Sequence, residues 1–298
     1  MRLSLSLFLS LFILLLSTPS CNKVDPEPVK KFGEGLRLKT IIHGDALDFR
    51  SEIEYIDNRV AGIYTFNGDE MTEKCLVSYS GDTVVRRYFS LHENEWIPVS
   101  NDEIMTMDHG NIRDYAFRTD GFAHSFRYFV WNGSLLKQCD LIERISHNSP
   151  PELRNRLIYS YSGEQLVSMQ VLLADSTLYV TEEIGYEDGY PAQFSMVHAN
   201  GSLMAKAALE YSGAGLVKIS GYEVINGNAG AVNAVEEFIY DSENRMITKK
   251  YTAGDDTYIR KFIYEEGEGN YNALWMPVAG WFSCYFFPEG IYSHILKD

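Results

Sequence analysis

One short phrase recurs along this chain and limits what it can fold into. It reads apolar, any residue, aromatic, turn residues, aliphatic. "YSGDTVV" stands at 79–85, "YSYSGEQLV" at 159–167 and "YSGAGLV" at 211–217. Relaxed to its pattern, the phrase has nine copies, anchored at Tyr55, Tyr79, Met107, Trp131, Tyr161, Tyr186, Tyr211, Tyr240 and Tyr264. Anchor-to-anchor spacings are 24, 28, 24, 30, 25, 25, 29 and 24 residues. A fixed period in this range means one supersecondary unit repeated in space.

Each unit has the parts of a β-hairpin. Its flanks alternate and are rich in β-branched and aromatic residues, as in "STLYVTEEIGY" and "ALEYSGAGLVKISGYEV". Its centre is turn chemistry, as at Asn132-Gly133, Asp188-Gly189, Ser212-Gly213 and Asn244. Gly and Asn accept the positive φ of tight turns, while Asp and Ser bond back to the local backbone. The ring before the turn can lie across the hairpin on the aliphatic residue after it, worth roughly 0.2–1 kcal/mol per pair. Small polar stretches between units, 226–234 and 252–257, read as loops at the opposite end.

The expected fold is therefore all-β: an antiparallel up-and-down meander of about nine hairpins and about eighteen strands. No βαβ alternation and no amphipathic helix period interrupts residues 35–265. Open twisted sheets rarely exceed ~10 strands, and closure removes the exposed edges. A wide closed or strongly curled soluble barrel is preferred, with an open single-layer sheet as the alternative. A barrel of 16–18 strands is too wide for side chains to fill. The barrel is assigned to residues 36–270.

The first twenty residues read as a secretory signal: Arg2, then an uncharged run from Leu3 to Leu16, then "STPSC". The apolar run falls short of the roughly 20 residues of a spanning helix. Cys21 follows small Ser20, and a polar linker, 21–35, follows Cys21. This resembles a bacterial lipoprotein signal, in which Cys21 becomes the acylated first residue, although Thr18 stands where the pattern usually has an aliphatic residue. Asp25 and Glu27 resemble the surface-export signals of Bacteroidota lipoproteins. The expected location is the outer membrane, lipid-anchored, on the surface or periplasmic face.

Residues 1–21 hold one basic residue and no acid. Taking that one from 26 leaves 25 basic against 41 acidic residues, a net of −16. That balance argues against nucleic acid as a partner and leaves the lipid as the route to a membrane. Cys75, Cys139 and Cys284 have no CxxC spacing, so neither a disulfide framework nor a zinc site is implied. No cofactor is expected.

"YDSENRMITKKY" and "YSGEQLVSM" resemble the Tyr-Asp repeats of Rhs-type proteins. The likeness is partial, since Tyr240-Asp241 alone keeps the dipeptide and Asn244 replaces the usual Gly. Cys21 together with the meander over residues 36–298 resembles an uncharacterised Bacteroidota lipoprotein family with a porin-like barrel. That resemblance implies the barrel and the anchor, and no catalytic residues. Charges on both faces, as in "VTEEIGYED" and "VVRRYF", and an ending without a terminal aromatic argue for a water-soluble barrel over a membrane-spanning one.

The segment 271–298 breaks the repeat and is read as an aromatic plug or lid of the same domain. Trp275, Trp281, Tyr285 and Phe286 are its candidate platform for a sugar or a protein partner. The seven histidines are scattered, with no Ser-His-Asp order and no HExxH. Asp255, Asp256, Glu265, Glu266 and Glu268 could meet on Ca²⁺ but lack the usual loop order, and a solvated acidic rim is the plainer reading. The expected function is a non-enzymatic envelope binding protein for a glycan or protein. A purely structural protein, an outer-membrane pore and an enzyme are the alternatives.

Overall fold

The computed structural model describes residues 36–44, 49–108, 111–119, 122–133, 135–146, 148–212, 215–243 and 245–267. Among them no residue is helical. The strands begin with β1 (Leu36–His43), β2 (Phe49–Ile56), β3 (Arg59–Asn67), β4 (Glu70–Ser80), β5 (Thr83–His92) and β6 (Glu95–Asp108). They continue with β7 (Asn111–Thr119), β8 (Phe122–Asn132), β9 (Leu135–Glu143), β10 (Glu152–Ser162), β11 (Gln165–Leu173) and β12 (Leu178–Glu187). They end with β13 (Tyr190–His198), β14 (Leu203–Ser212), β15 (Gly215–Ile225), β16 (Asn228–Tyr240), β17 (Met246–Ala253) and β18 (Asp256–Glu266).

Every strand pairs antiparallel with its neighbours in the chain, and β1 pairs with both β2 and β18. The meander is thus a closed 18-stranded barrel, and the open sheet is ruled out. Closure gives the ninth hairpin an unexpected construction. Its anchor Tyr264, on β18, pairs with Leu38 of β1, the strand at the other end of the barrel's chain.

Each anchor is paired with its aliphatic partner. The pairs are Tyr55–Val60, Tyr79–Val84, Met107–Ile112, Trp131–Leu136, Tyr161–Leu166, Tyr186–Pro191, Tyr211–Leu216 and Tyr240–Met246. Except at Tyr79, a bulge sits immediately before the anchor, as between Glu54 and Tyr55 or Ile239 and Tyr240. The bulge adds the twist that bends a flat sheet into a barrel. Turn residues take the left-handed backbone expected of them: φ is 51° at Asp188 and 85° at Gly189.

At the opposite end the connections are tighter than the composition suggests. Of the stretch 226–234, Asn226-Gly227 alone is the turn, and Asn228 already starts β16. Gly254 and Asp255 likewise join β17 directly to β18. Small polar residues that read as loop can still pair as strand, because the ladder uses backbone groups and not side chains.

Strand pleat and register sort the side chains into two faces. Most of the buried apolar residues fall on one face of the strands, and Leu38, Ile53, Val60, Met105, Phe194, Ile219 and Phe262 belong to one continuous cluster there. That face is the crowded, concave one, so it lines the lumen. The convex face is laced with ion pairs at mid-strand: Arg156–Asp140 at 2.7 Å, Lys218–Glu210 at 2.8 Å and Lys250–Glu237 at 3.3 Å. Single apolar residues such as Tyr128 lie between them. A membrane barrel is built the other way, apolar outside and polar inside.

Candidate functional site

The two ends of the lumen are made differently. At the near end, where the anchors lie, the inter-hairpin ladders stop short. β3 and β4 pair last at Gly62–Leu76, and β15 and β16 at Lys218–Glu237. Each ladder ends two residues before the aliphatic partner, so that residue's carbonyl lacks a strand donor. The next hairpin's anchor supplies one. Tyr55 donates to the Leu38 carbonyl at 2.8 Å, Tyr79 to Val60 at 3.1 Å and Tyr186 to Leu166 at 2.8 Å. Tyr240 donates to Leu216 at 2.9 Å and Tyr264 to Met246 at 2.6 Å. At these five anchors the phrase therefore ties a hairpin to the strand before it as well as to itself. Basic residues cover several of these rings: Arg37 lies 4.5 Å from the Tyr55 centroid and Lys137 4.7 Å from that of Tyr161. Burial pushes the Tyr240 hydroxyl up to about 12, so it stays a donor.

Deeper in, charge enters the lumen. The pleat returns to the lumen face four residues before each anchor. Those positions hold Ser51, Cys75, Glu103, Arg127, Leu157, Glu182, Ala207, Glu236 and Arg260. Glu103 pairs with Arg86, and Tyr88 donates to it at 3.2 Å. Arg127 lies over the Tyr115 ring at 5.5 Å. Glu236 holds Lys249 in a buried ion pair. Glu182 is 3% exposed between its cross-strand neighbours Met169 and Met196, with its Oε1 unbonded. Burial alone pushes its carboxyl up to about 8.

A cross-strand row of three basic side chains lies on one wall. Lys249 of β17 pairs across strands with Arg260 of β18, and Arg260 pairs with His43 of β1. Burial first, then Arg260, pushes Lys249 down to about 7. The same two causes, in the same order, push His43 down to about 4. The His43 ring lies 3.0 Å through Nε2 from the Ser51 hydroxyl, which is 3.3 Å from that of Thr65. Beyond this row the lumen reaches the far end, where lumen-facing Phe49 and Tyr258 are 42% and 51% exposed. The far mouth is open to water on apolar walls.

The residues singled out from sequence divide. Cys21 and the aromatic candidates Trp275, Trp281, Tyr285 and Phe286 lie outside the described residues. So does Cys284, whereas Cys75 and Cys139 are buried. Asp255 and Asp256 stand at the far end of β18 and Glu265 at its near end, about 30 Å away at ~3.3 Å per residue. They share no ion, and Glu265 is held instead by Arg37 at 2.8 Å and Lys39 at 3.3 Å. Among the described residues no cluster of three or more His, Cys, Asp or Glu could hold a metal. Sequence reasoning missed the lumen charges. Their signal was a charge four residues before an anchor, where the pleat demands an inward side chain.

No family model matches the chain, and no curated protein is similar to it. The chain is similar to a porin-like protein from Bacteroides uniformis, at 8% identity over 76% of this chain and 98% of that one, with a TM-score of 0.43. It is also similar to a porin-like protein from Bacteroides vulgatus, at 10% identity over 77% and 98%, with a TM-score of 0.32. A chain of the TcdB2–TccC3–Cdc42 structure matches at 9% identity and a TM-score of 0.28, over 71% of this chain and 14% of that one. The barrel itself stands on the strand pairings described above.

Proposed function

We propose that this chain is a lipid-tethered protein of the cell envelope that binds a ligand through the far mouth of its barrel and performs no catalysis. One observation carries the reading: the two lumen ends differ, and the chain enters and leaves at the closed one. β1 begins and β18 ends beside the tyrosine girdle, where Leu36 pairs with Glu266. With Cys21 acylated, the fifteen-residue linker from 21 to 35 delivers the girdle end to the membrane. The apolar, water-filled mouth then faces away from the bilayer, where a ligand can reach it. Trp275, Trp281, Tyr285 and Phe286, beyond β18 in the sequence, are further candidates for contacting a glycan or protein. The ion-paired outer face supports a barrel that stands in water on its tether, in preference to a pore.

Two measurements test the reading. Radiolabelled palmitate should enter the wild-type chain and not Cys21→Ala, and label in both would overturn the anchor. The chain from residue 22 onward should show a raised thermal midpoint with one class in a panel of glycans and small amphiphiles, because only native-state binding raises it. A flat response across the panel would leave a structural role in place of binding.

A further inference from the structure

We propose that the wall formed by β17, β18 and β1 is a head-group site, in which Lys249, Arg260 and His43 receive the oxyanion of a ligand whose apolar body lies along the lumen. The proposal rests on reading the lumen as a binding chamber and names what the chamber takes. The three residues form one cross-strand row, Lys249–Arg260–His43, on the lumen face. Directly opposite residues on adjacent strands stand about 4.5–5.5 Å apart at Cβ, so one small oxyanion can span neighbours in the row.

The row is short of negative charge. Glu236 answers Lys249 alone. The Arg260 guanidinium rests on the Tyr258 ring at 6.0 Å and makes no ion pair with a carboxylate among the described residues. A half-buried guanidinium carries five donors in a fixed fork that matches carboxylate or phosphate geometry. Arg260 also depresses the basicity of both neighbours in the row, which places all three in one poorly screened field. An incoming oxyanion would relieve that field. His43 contributes a ring already held by Ser51 on one side and set 5.0 Å from Phe49 on the other.

The surroundings choose the rest of the ligand. Rings surround the row: Phe238 stands beside Lys249 at one end and Phe49 beside His43 at the other, with Phe262 one pleat deeper on β18 and Tyr258 one pleat toward the mouth. An oxyanion on an aliphatic or flat apolar body covers them. The shared chemistry is an amphiphilic oxyanion, whether its head is a carboxylate or a phosphate.

The probes are dodecanoate, dodecyl phosphate and neutral dodecanol, each below its micellar concentration, titrated calorimetrically into the chain from residue 22 onward. One or both anions should bind at about one per chain and about tenfold or more tighter than the alcohol, and the tighter anion identifies the head group. Arg260→Gln should lose about that factor for the anion and nothing for the alcohol. Arg260→Lys should retain part of it, and Arg156→Gln on the outer face should match wild type. If Arg260→Gln does not fold, judged by its circular dichroism, Lys249→Met carries the same test. Equal affinity for alcohol and anion would overturn the head-group row while leaving the chamber in place. An absence of binding by all three would overturn the proposal, and the panel response would then decide the chamber separately.

Discussion

The near and far halves of the lumen are lined by the same strands and obey different rules. In the near half the same solution recurs from hairpin to hairpin: a ring, an aliphatic partner and, at five anchors, a tyrosine hydroxyl on the previous hairpin's stranded carbonyl. In the far half the positions four before the anchors hold serine, cysteine, alanine, leucine and both signs of charge. Repetition marks where the fold has one physical problem to solve. Its loss marks where residues answer to something else. Buried charge is costly, and a water-soluble barrel could be lined throughout with apolar side chains. The charged layer is thus the part of the molecule that folding explains least.

The sharpest contrast between the halves should come from two phenylalanines on the same face. Phe194, in the near half, is wholly buried, and Phe49 is exposed at the far mouth. Phe194→Ala should cost about 3–5 kcal/mol, since it removes a ring from a packed site that cannot collapse to fill it. Phe49→Ala should cost under about 1 kcal/mol. Urea unfolding of both variants checks this, and equal losses would mean that the far half is packed like the near one.

The next largest effect tests the charged layer through pH. The folded state holds the Glu182 carboxyl up at about 8, so it binds a proton that the unfolded chain releases near 4.5. Between those values the native state carries more protons, and stability falls as pH rises. Glu182→Gln abolishes that loss. It should leave stability unchanged near pH 4 and raise it by about 2–4 kcal/mol at pH 9. Thermal melts across this range suffice, and a constant offset at all pH values would show that the acid is not buried alone. His43 acts at the opposite edge. Its depressed basicity means the unfolded chain takes up a proton between pH 6.5 and about 4, so stability falls as pH drops through that window.

A smaller effect measures what the girdle hydroxyl adds to its ring. Tyr240→Phe keeps the packing and leaves the Leu216 carbonyl without its 2.9 Å donor. The expected cost is about 1–2 kcal/mol, the penalty of a partly buried acceptor left unsatisfied. A cost near zero would mean that water replaces the hydroxyl, and that the ring alone ties one hairpin to the next.

This division also explains what could be read from the sequence. The hairpin period and a strand number of about eighteen were legible, because turn chemistry and alternation are local and the unit repeats; closure was only the preferred reading beside an open sheet, and the pairing of β1 with β18 decides it. The ninth hairpin was not legible, since Tyr264 meets Leu38 across more than two hundred residues of chain and nothing near Tyr264 encodes that partner. The reach of Tyr79 to Val60 was hidden for a similar reason: it depends on where the inter-hairpin ladder stops. His43 lies more than two hundred residues from Lys249 and Arg260, and closure alone puts β1 beside β18. Lys249 and Arg260 read as ordinary strand charges until register assigns them to the inner face.

The smallest expected effect concerns the outer face, where the prediction is close to no change. Tyr128 projects outward from β8, paired across strands with Asp140, which Arg156 holds by two contacts of 2.7 and 2.9 Å. In water an arginine at 128 meets solvent and an acid, and Tyr128→Arg should shift stability by no more than about 0.5 kcal/mol. In a bilayer the same change would cost about 2–4 kcal/mol at mid-depth. The variant should also leave the chain from residue 22 onward monomeric in detergent-free buffer, as judged by light scattering after size exclusion. A large loss, or a wild-type chain that stays in solution only with detergent, would turn the barrel inside out as an object. Its ion-paired convex face would then have to be covered, and the far mouth would open into a membrane in place of water.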